Sequence, residues 1–403
     1  MKKVFKLKSE GLRDSITDFS NWISDFNLHR DNITEFTGTM KNQMKKLEFD
    51  KISSDKFGNI VGIIKGYKSQ KNISLISHCD IPNQNEKLPG FKTDMVRFKA
   101  GIISSLYTGA LIKRSLLPLE GDLIVCCVPR FESCEFGIKY LFDSFLRSEI
   151  KKIKGIILCE PTDFNVYLGH KGQMEYEIIV KGDINRNFVE NKGFNILGTM
   201  FPLINELEKL SKTLPTSQTL GKANLKIKDV NYNGYKTAEN PSEFKIIAER
   251  VFIPEENLQE ILNRAKTIAK SVYGQNSNLS INTAVSREKI KISPKVDISL
   301  KKEVLPWSME SHNPFVLKTL EVLNENNIKA KTGYWKDILT AGSYTKGILK
   351  IPTIGFGAGN ENVINSGFES LKIDELIKAI CAASLIVNRN IGMPAFGWND
   401  NDI

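Results

Sequence analysis

Residues able to do acid–base or metal chemistry are scarce in this chain. Its 403 residues include four histidines, His29, His78, His170 and His312, so a metal centre or proton relay has to be assembled from very few imidazoles. Carboxylates stand beside one of them in His78-Cys79-Asp80 and farther along in Cys159-Glu160-Pro161-Thr162, with Pro129-Arg130-Phe131-Glu132 between. The six cysteines, Cys79, Cys126, Cys127, Cys134, Cys159 and Cys381, form no Cys-x-x-Cys pair and sit mostly in apolar segments. That pattern argues against a zinc finger or disulfide scaffold and predicts buried, reduced thiols.

The elements that must position these residues alternate in the first half. Runs 59–66 and 72–77 read as strands, the second ending at His78-Cys79-Asp80. Phe98, Ile102, Ile103, Leu106 and Ala110 recur at helical spacing. The apolar run 121–128 reads as a buried strand closed by Pro129, 135–145 as a helix, and 155–159 as a strand ending at Glu160. Such alternation implies a mostly parallel sheet flanked by helices, whose ligands gather beyond the strands' carboxyl ends. His78, Asp80, 129–132 and Glu160 all fall at such ends, which points to one shared cleft.

The middle of the chain differs. Strands are expected at 174–180, 223–230, 244–252 and 279–285, with amphipathic helices at 195–210 and 256–272, the composition of a compact α+β insertion. A helix at 314–323, a strand at 351–356 and a closing helix at 373–387 restore the α/β pattern. The expected architecture is a discontinuous α/β domain, 1–180 with 293–403, carrying an inserted α+β domain at 181–292.

Composition bounds the rest. A chain 41% hydrophobic and 25% charged buries enough apolar surface to fold, and its length favours two domains. The net charge of +10 comes from lysines spread along the sequence, with no nucleic-acid-binding module, and no run is long and apolar enough for a membrane span. Met1-Lys2-Lys3 leads into an apolar stretch too short for a signal peptide, so a cytoplasmic location is expected.

In order and over nearly the whole chain, the motifs resemble those of the M20 family of metal-dependent peptidases, deacylases and carbamoyl hydrolases, and look most like its selenium-metabolism-linked branch. His78-Cys79-Asp80 resembles the family's His-x-Asp motif, and Gly101-Ile102-Ile103-Ser104-Ser105 the helix after Asp-x-x-Gly-Gly. Gly137-Ile138-Lys139-Tyr140-Leu141 resembles the segment after the Glu-Glu pair. Cys159-Glu160-Pro161-Thr162-Asp163 and Gly169-His170-Lys171-Gly172 resemble two later signatures, and Ile354 to Glu361 the run before the final metal histidine.

The resemblance implies two zinc-type ions held by five protein ligands, a glutamate base, and an inserted domain used for pairing. It implies His78 as a metal ligand, Asp80 as its orienting carboxylate and Glu160 as a second ligand. The remaining positions depart from the pattern. Arg97 stands at the bridging aspartate, Arg130 at the general base, Phe131 at a glutamate ligand, Asn365 at the late histidine and Arg186 at the oxyanion-stabilising histidine. Catalytic zinc usually has three protein ligands and an open position, and arginine neither gives up its proton nor accepts one from water.

The resemblance with these departures implies a degenerate site with no full dimetal occupancy, in a noncatalytic ligand-binding or regulatory subunit. It would form a homodimer, or a heterodimer with an active M20 paralogue, through the inserted domain. A small anionic ligand would meet Arg250, at the family's carboxylate-binding arginine, and Arg186. A plain solvated strand arginine is the other reading of Arg250. Arg97 and Arg130 are expected to pair with Asp80 and Glu160, replacing metal charge; a cationic pocket formed with Arg186 is the other possibility. The alternative function is an active hydrolase of amide or carbamoyl C–N bonds using one zinc or other divalent ion, with Asp94 or Glu132 recruited. His170 is expected to pack or hydrogen-bond near the cleft floor, His29 and His312 to lie on the surface.

Overall fold

The computed structural model describes residues 2–26, 28, 32–81, 99–131, 135–182, 196–233, 242–273, 279–293, 296–364 and 371–393. His29, Asp94, Arg97, Glu132, Arg186 and Asn365 lie outside them, as do the side chains of Asp80, Arg130 and Phe131. The chain divides into two compact units, 1–170 with 308–403 and 171–307. The boundaries differ from the expected ones at 180 and 293: the strand from Gly172 pairs within the inserted sheet, and Glu303–Val304 pairs with that strand.

The first unit begins with helices α1 (Lys2–Glu10), α2 (Arg13–Asp25) and α3 (Ile33–Lys46). Strands β1 (Lys51–Ser54), β2 (Ile60–Ile64) and β3 (Asn72–Ile81) follow, then α4 (Ala100–Ser115), β4 (Leu123–Phe131), α5 (Phe136–Tyr140), β5 (Ile153–Leu158) and β6 (Val166–His170). Its sheet runs β1-β2-β4-β3-β5, then Thr353–Gly355 and β6. The centre is parallel: β3 pairs in parallel with β4 and β5, and Thr353–Gly355 with β5. Antiparallel pairs stand outside that centre, at β1–β2, β2–β4 and the junction with β6, while Thr332–Trp335 joins β6 in parallel. The expectation of a mostly parallel sheet therefore holds at the centre and is corrected at those antiparallel pairs, where β1 to β2 is a short local connection that needs no crossover.

Burial explains the strands. Leu123 to Val128 are almost wholly excluded from solvent, as are Ile73, Leu75 and Ile76, as expected for strands covered on both faces. The helix α4 is apolar nearly all round and is buried along most of its length. It packs on β3 and β4 and against α1 and the closing helix α10 (Ile373–Ile391). Pro129 does not end β4, as expected, but lies within it, opposite Cys79. Pairing with β2 stops at Cys127, so Pro129 has a single strand neighbour, an edge position where a missing N–H is tolerated. Helices α8 (Pro314–Glu325) and α9 (Glu361–Ile364) complete the unit.

The second unit is an antiparallel sheet of four longer strands and the short strand Glu303–Val304, with two helices. The longer strands run Asn224–Asn233, Ser242–Phe252, β7 (Gly172–Gly182) and Leu279–Val285, in that spatial order. Along β7, Met174, Tyr176, Ile178 and Val180 alternate into the core, and Phe244, Ile246 and Ala248 do so on the neighbouring strand. Leu203 and Leu207 of α6 (Ile196–Lys212) and Leu262, Ala265 and Ala269 of α7 (Leu258–Tyr273) close that core. A further hairpin, Arg287–Ser293 with Val296–Lys301, follows.

Helix α4 is held close to the end of β5 by the absence of a side chain at Gly101. A Cβ there would fall 1.9 Å from the Cys159 carbonyl oxygen, which is backbone and cannot turn aside. Gly101→Ala is expected to lower stability by about 1–3 kcal/mol through overpacking. Gly38→Ala in the exposed interior of α3, where a Cβ meets nothing within 4 Å, is expected to raise it by up to about 1 kcal/mol. Chemical denaturation of the two variants beside the parent chain measures both.

Candidate functional site

The carboxyl ends of β3, β4 and β5 lie side by side. The register sets Ile76 opposite Leu158, His78 opposite Val128 and Asp80 opposite Arg130. The Cys159 N–H donates to the Ile76 carbonyl at 2.8 Å, which carries the β3–β5 pairing up to the residue before Glu160. His78 and Glu160 meet there, with Nδ1 2.6 Å from Oε1 and both residues 4% exposed. The structure thus assigns Glu160 a partner that was not expected from the sequence. Its carboxylate is engaged by His78, whereas the expected ion pairs from Arg97 and Arg130 involve side chains outside the described residues.

The backbone around Glu160 is clamped from several directions. Gly101 lets α4 approach on one side. Gly357 approaches on another, where a Cβ would fall 2.4 Å from the Glu160 carbonyl oxygen. The Gly357 N–H donates to Thr162 Oγ1 at 3.0 Å, and Thr162 Oγ1 stands 3.2 Å from the Gly357 carbonyl. Trp335 Nε1 donates to the Pro161 carbonyl at 2.8 Å. Beneath His78, Ser105 Oγ of α4 donates to Ser77 Oγ at 3.2 Å, and Ser77 Oγ donates to the Cys126 carbonyl at 3.2 Å. The motif positions noticed in the sequence therefore hold one another, with backbone polar groups satisfied inside the fold.

The other histidines separate as expected where they are described. His170 is buried and its Nε2 accepts from the Thr340 N–H at 2.9 Å, so it anchors the 340–343 loop. His312 is exposed. Cys126, Cys127 and Cys159 are buried, with burial pushing the Cys126 thiol up to about 12 and Cys159 higher still. The Cys126 and Cys159 thiols are therefore protonated at neutral pH and offer no nucleophile.

Arg250 lies in the second unit at 2% exposure, so the solvated reading is overturned. Its guanidinium pairs with Glu256 and donates to the Val251 and Asn224 carbonyls, the latter at 3.2 Å. Burial holds its pKa below the usual arginine range, against the opposing pull of Glu256.

Glu361 is a buried carboxylate to which sequence reading gave no role. It accepts the backbone N–H groups of Lys336, at 3.0 Å, and Asp337, at 3.4 Å. Burial raises its pKa, and the two N–H groups oppose that shift only in part. Its place at the end of the Gly-Ala-Gly-Asn run was the one available signal. Among the described residues no three His, Cys, Asp or Glu side chains converge as a metal-ligand group, and no helix is long and apolar enough to cross a membrane.

No protein-family model matches the chain. It is 28% identical over 246 residues to the uncharacterized protein YgeY of Escherichia coli, a match spanning 56% of this chain and 59% of that protein's length. It is 25% identical over 323 residues to the uncharacterized metallohydrolase MJ1497 of Methanocaldococcus jannaschii, covering 80% of this chain and 84% of that one. Among solved structures, the Saccharomyces cerevisiae di-peptidase Dug1p superposes with a TM-score of 0.67 at 10% identity, over 97% of this chain and 98% of its own. The Bacillus subtilis protein YXEP, a dinuclear metal-binding peptidase of the M20 family, gives 0.66 at 12% identity, over 94% and 98%. The chain therefore has the fold of M20-type peptidases.

Two outcomes follow from the site geometry. His78→Ala leaves the Glu160 carboxylate buried without its partner and is expected to cost about 1–3 kcal/mol. A double-mutant cycle with Glu160→Gln, read by denaturation, is expected to show the two residues coupled by more than about 0.5 kcal/mol. Glu361 has the opposite sign from a stabilised carboxylate. Its folded pKa lies above the unfolded one, so its contribution is fully present below about 4.5 and is lost as pH rises through the folded value. Relative to Glu361→Gln, the parent chain is expected to lose stability over that interval, measured by denaturation across pH 4–7.

Proposed function

We propose that this chain is a noncatalytic relative of the M20 metallohydrolases, acting as a ligand-binding or regulatory subunit. The observation that supports the reading best is the 2.6 Å contact between His78 and Glu160. These are the two residual zinc-type donors of the M20 pattern, and each is turned to the other inside the protein. The donor set does not fit a two-zinc centre. Phe131 offers no donor atom, Arg97 and Arg130 carry permanent positive charge, and Asn365 supplies an amide where the pattern has an imidazole. Two protein ligands fall short of the three that a catalytic zinc takes. No hydrolytic step is assigned to the site.

On this reading the hydrogen-bonded pair takes over a structural role of the metal, holding the ends of β3 and β5 together. The fold that remains is suited to pairing with a second copy or with an active paralogue through the inserted unit. Metal analysis of the full chain, purified without chelators, tests the central claim. Well below one zinc or similar ion per chain is expected, with His78→Ala changing stability and not metal content. About two ions per chain, with amide hydrolysis that disappears in His78→Ala, would show the reading to be wrong.

A further inference from the structure

The inserted unit contains a groove of about 370 Å³ between the end of α6, the first turns of α7 and the sheet, within the size range of small-molecule sites. Tyr176 and Arg250 form its floor. Arg250 is already committed to Glu256 and to two backbone carbonyls, so those two charges cancel within the fold. Tyr176 is fully buried, yet its hydroxyl has no hydrogen-bond partner among the described residues. Burial pushes its pKa up to about 12, which keeps it a neutral hydroxyl able to donate. An unpartnered buried hydroxyl is a group that a bound molecule can satisfy.

The rim carries charge of both signs. Arg264 and Glu260 are exposed and make no ion pair among the described residues. Glu255 accepts from Ser217 Oγ at 3.0 Å and keeps its other oxygen available. Leu214 and Ile261 supply apolar wall. One guanidinium and two carboxylates therefore remain after the internal pair is set aside. A simple anion would meet the two carboxylates, and a simple cation the guanidinium. A molecule with both signs a few ångströms apart meets an opposite charge at each end.

We propose that this groove binds a free α-amino acid with an apolar side chain. Its carboxylate faces Arg264 and the Tyr176 hydroxyl, its ammonium faces Glu255 and Glu260, and its side chain lies on Leu214 and Ile261. The inference goes beyond the reading of the His78–Glu160 site and does not depend on it, since every lining residue belongs to the inserted unit.

Thermal unfolding of the full chain with leucine, isoleucine, valine, methionine or phenylalanine tests it, with N-acetylleucine and leucinamide as single-charge controls. At least one amino acid is expected to raise the midpoint in a concentration-dependent way, and both controls to act at least roughly tenfold more weakly. Arg264→Ala, at an exposed position that leaves the core intact, is expected to weaken the effect roughly tenfold, and Tyr176→Phe to weaken it as well. No shift with any of the five, equal shifts from the single-charge controls, or an undiminished shift in Arg264→Ala would overturn the proposal. Zinc found at His78 would count against the function proposed above and leave this site standing.

Discussion

The contact between His78 and Glu160 is the constraint around which the first unit is arranged. A carboxylate and an imidazole, each 4% exposed, cannot stay buried without partners, because water no longer solvates them. Each is the other's partner at 2.6 Å. That distance requires β3 and β5 to pair in one register, since a one-residue slip would turn His78 to the opposite face of the sheet. It also requires Glu160 to leave β5 at a fixed angle. Gly101 and Gly357 permit that angle by letting a helix and a loop reach the backbone on either side. The Thr162–Gly357 and Trp335–Pro161 hydrogen bonds then hold it.

The second unit solves a similar problem by similar means. Arg250 is buried on the core face of its strand, and Glu256, six residues on, returns to neutralise it. In both units a polar pair that the sequence pattern presents as ligand chemistry is satisfied inside the chain. The consequence differs. At the sheet end the pair is His78 with Glu160, two residues that the M20 resemblance implies as metal ligands. In the insertion it uses up one arginine and leaves Arg264, Glu260 and Tyr176 among the residues lining a groove, the Tyr176 hydroxyl being buried without a partner among the described residues.

Much of the architecture was legible beforehand because periodicity and burial agree. The alternation along 174–180 and the apolar run at 121–128 gave strands where the structure has β7 and β4, and the helix beginning near Pro314 was found with its Asn313 cap accepting from the Phe315 N–H. Other parts were not legible. Pro129 looks like a terminator in one dimension and is accommodated only because its strand has a single neighbour there. The three N-terminal helices carry no chemistry-bearing motif, and the hairpin from Arg287 alternates too weakly to separate from the strand before it. The boundary of the insertion was misplaced because β7 reads like any half-buried strand, and only its partners show which sheet it joins.

By itself the sequence determined which residue types are available: one histidine and one glutamate at strand ends, and Arg97, Arg130, Phe131 and Asn365 at positions where the M20 resemblance alone implies metal or acid–base groups. Residue type is a local property, and no fold can give phenylalanine a donor atom. The tertiary structure alone decided what those groups do with one another. The choice of His78 as partner for Glu160, and of Glu256 for Arg250, depends on distances between residues remote in sequence or separated by a turn. Such distances are set by strand register and helix packing, which a linear pattern of apolar and polar residues does not encode one contact at a time.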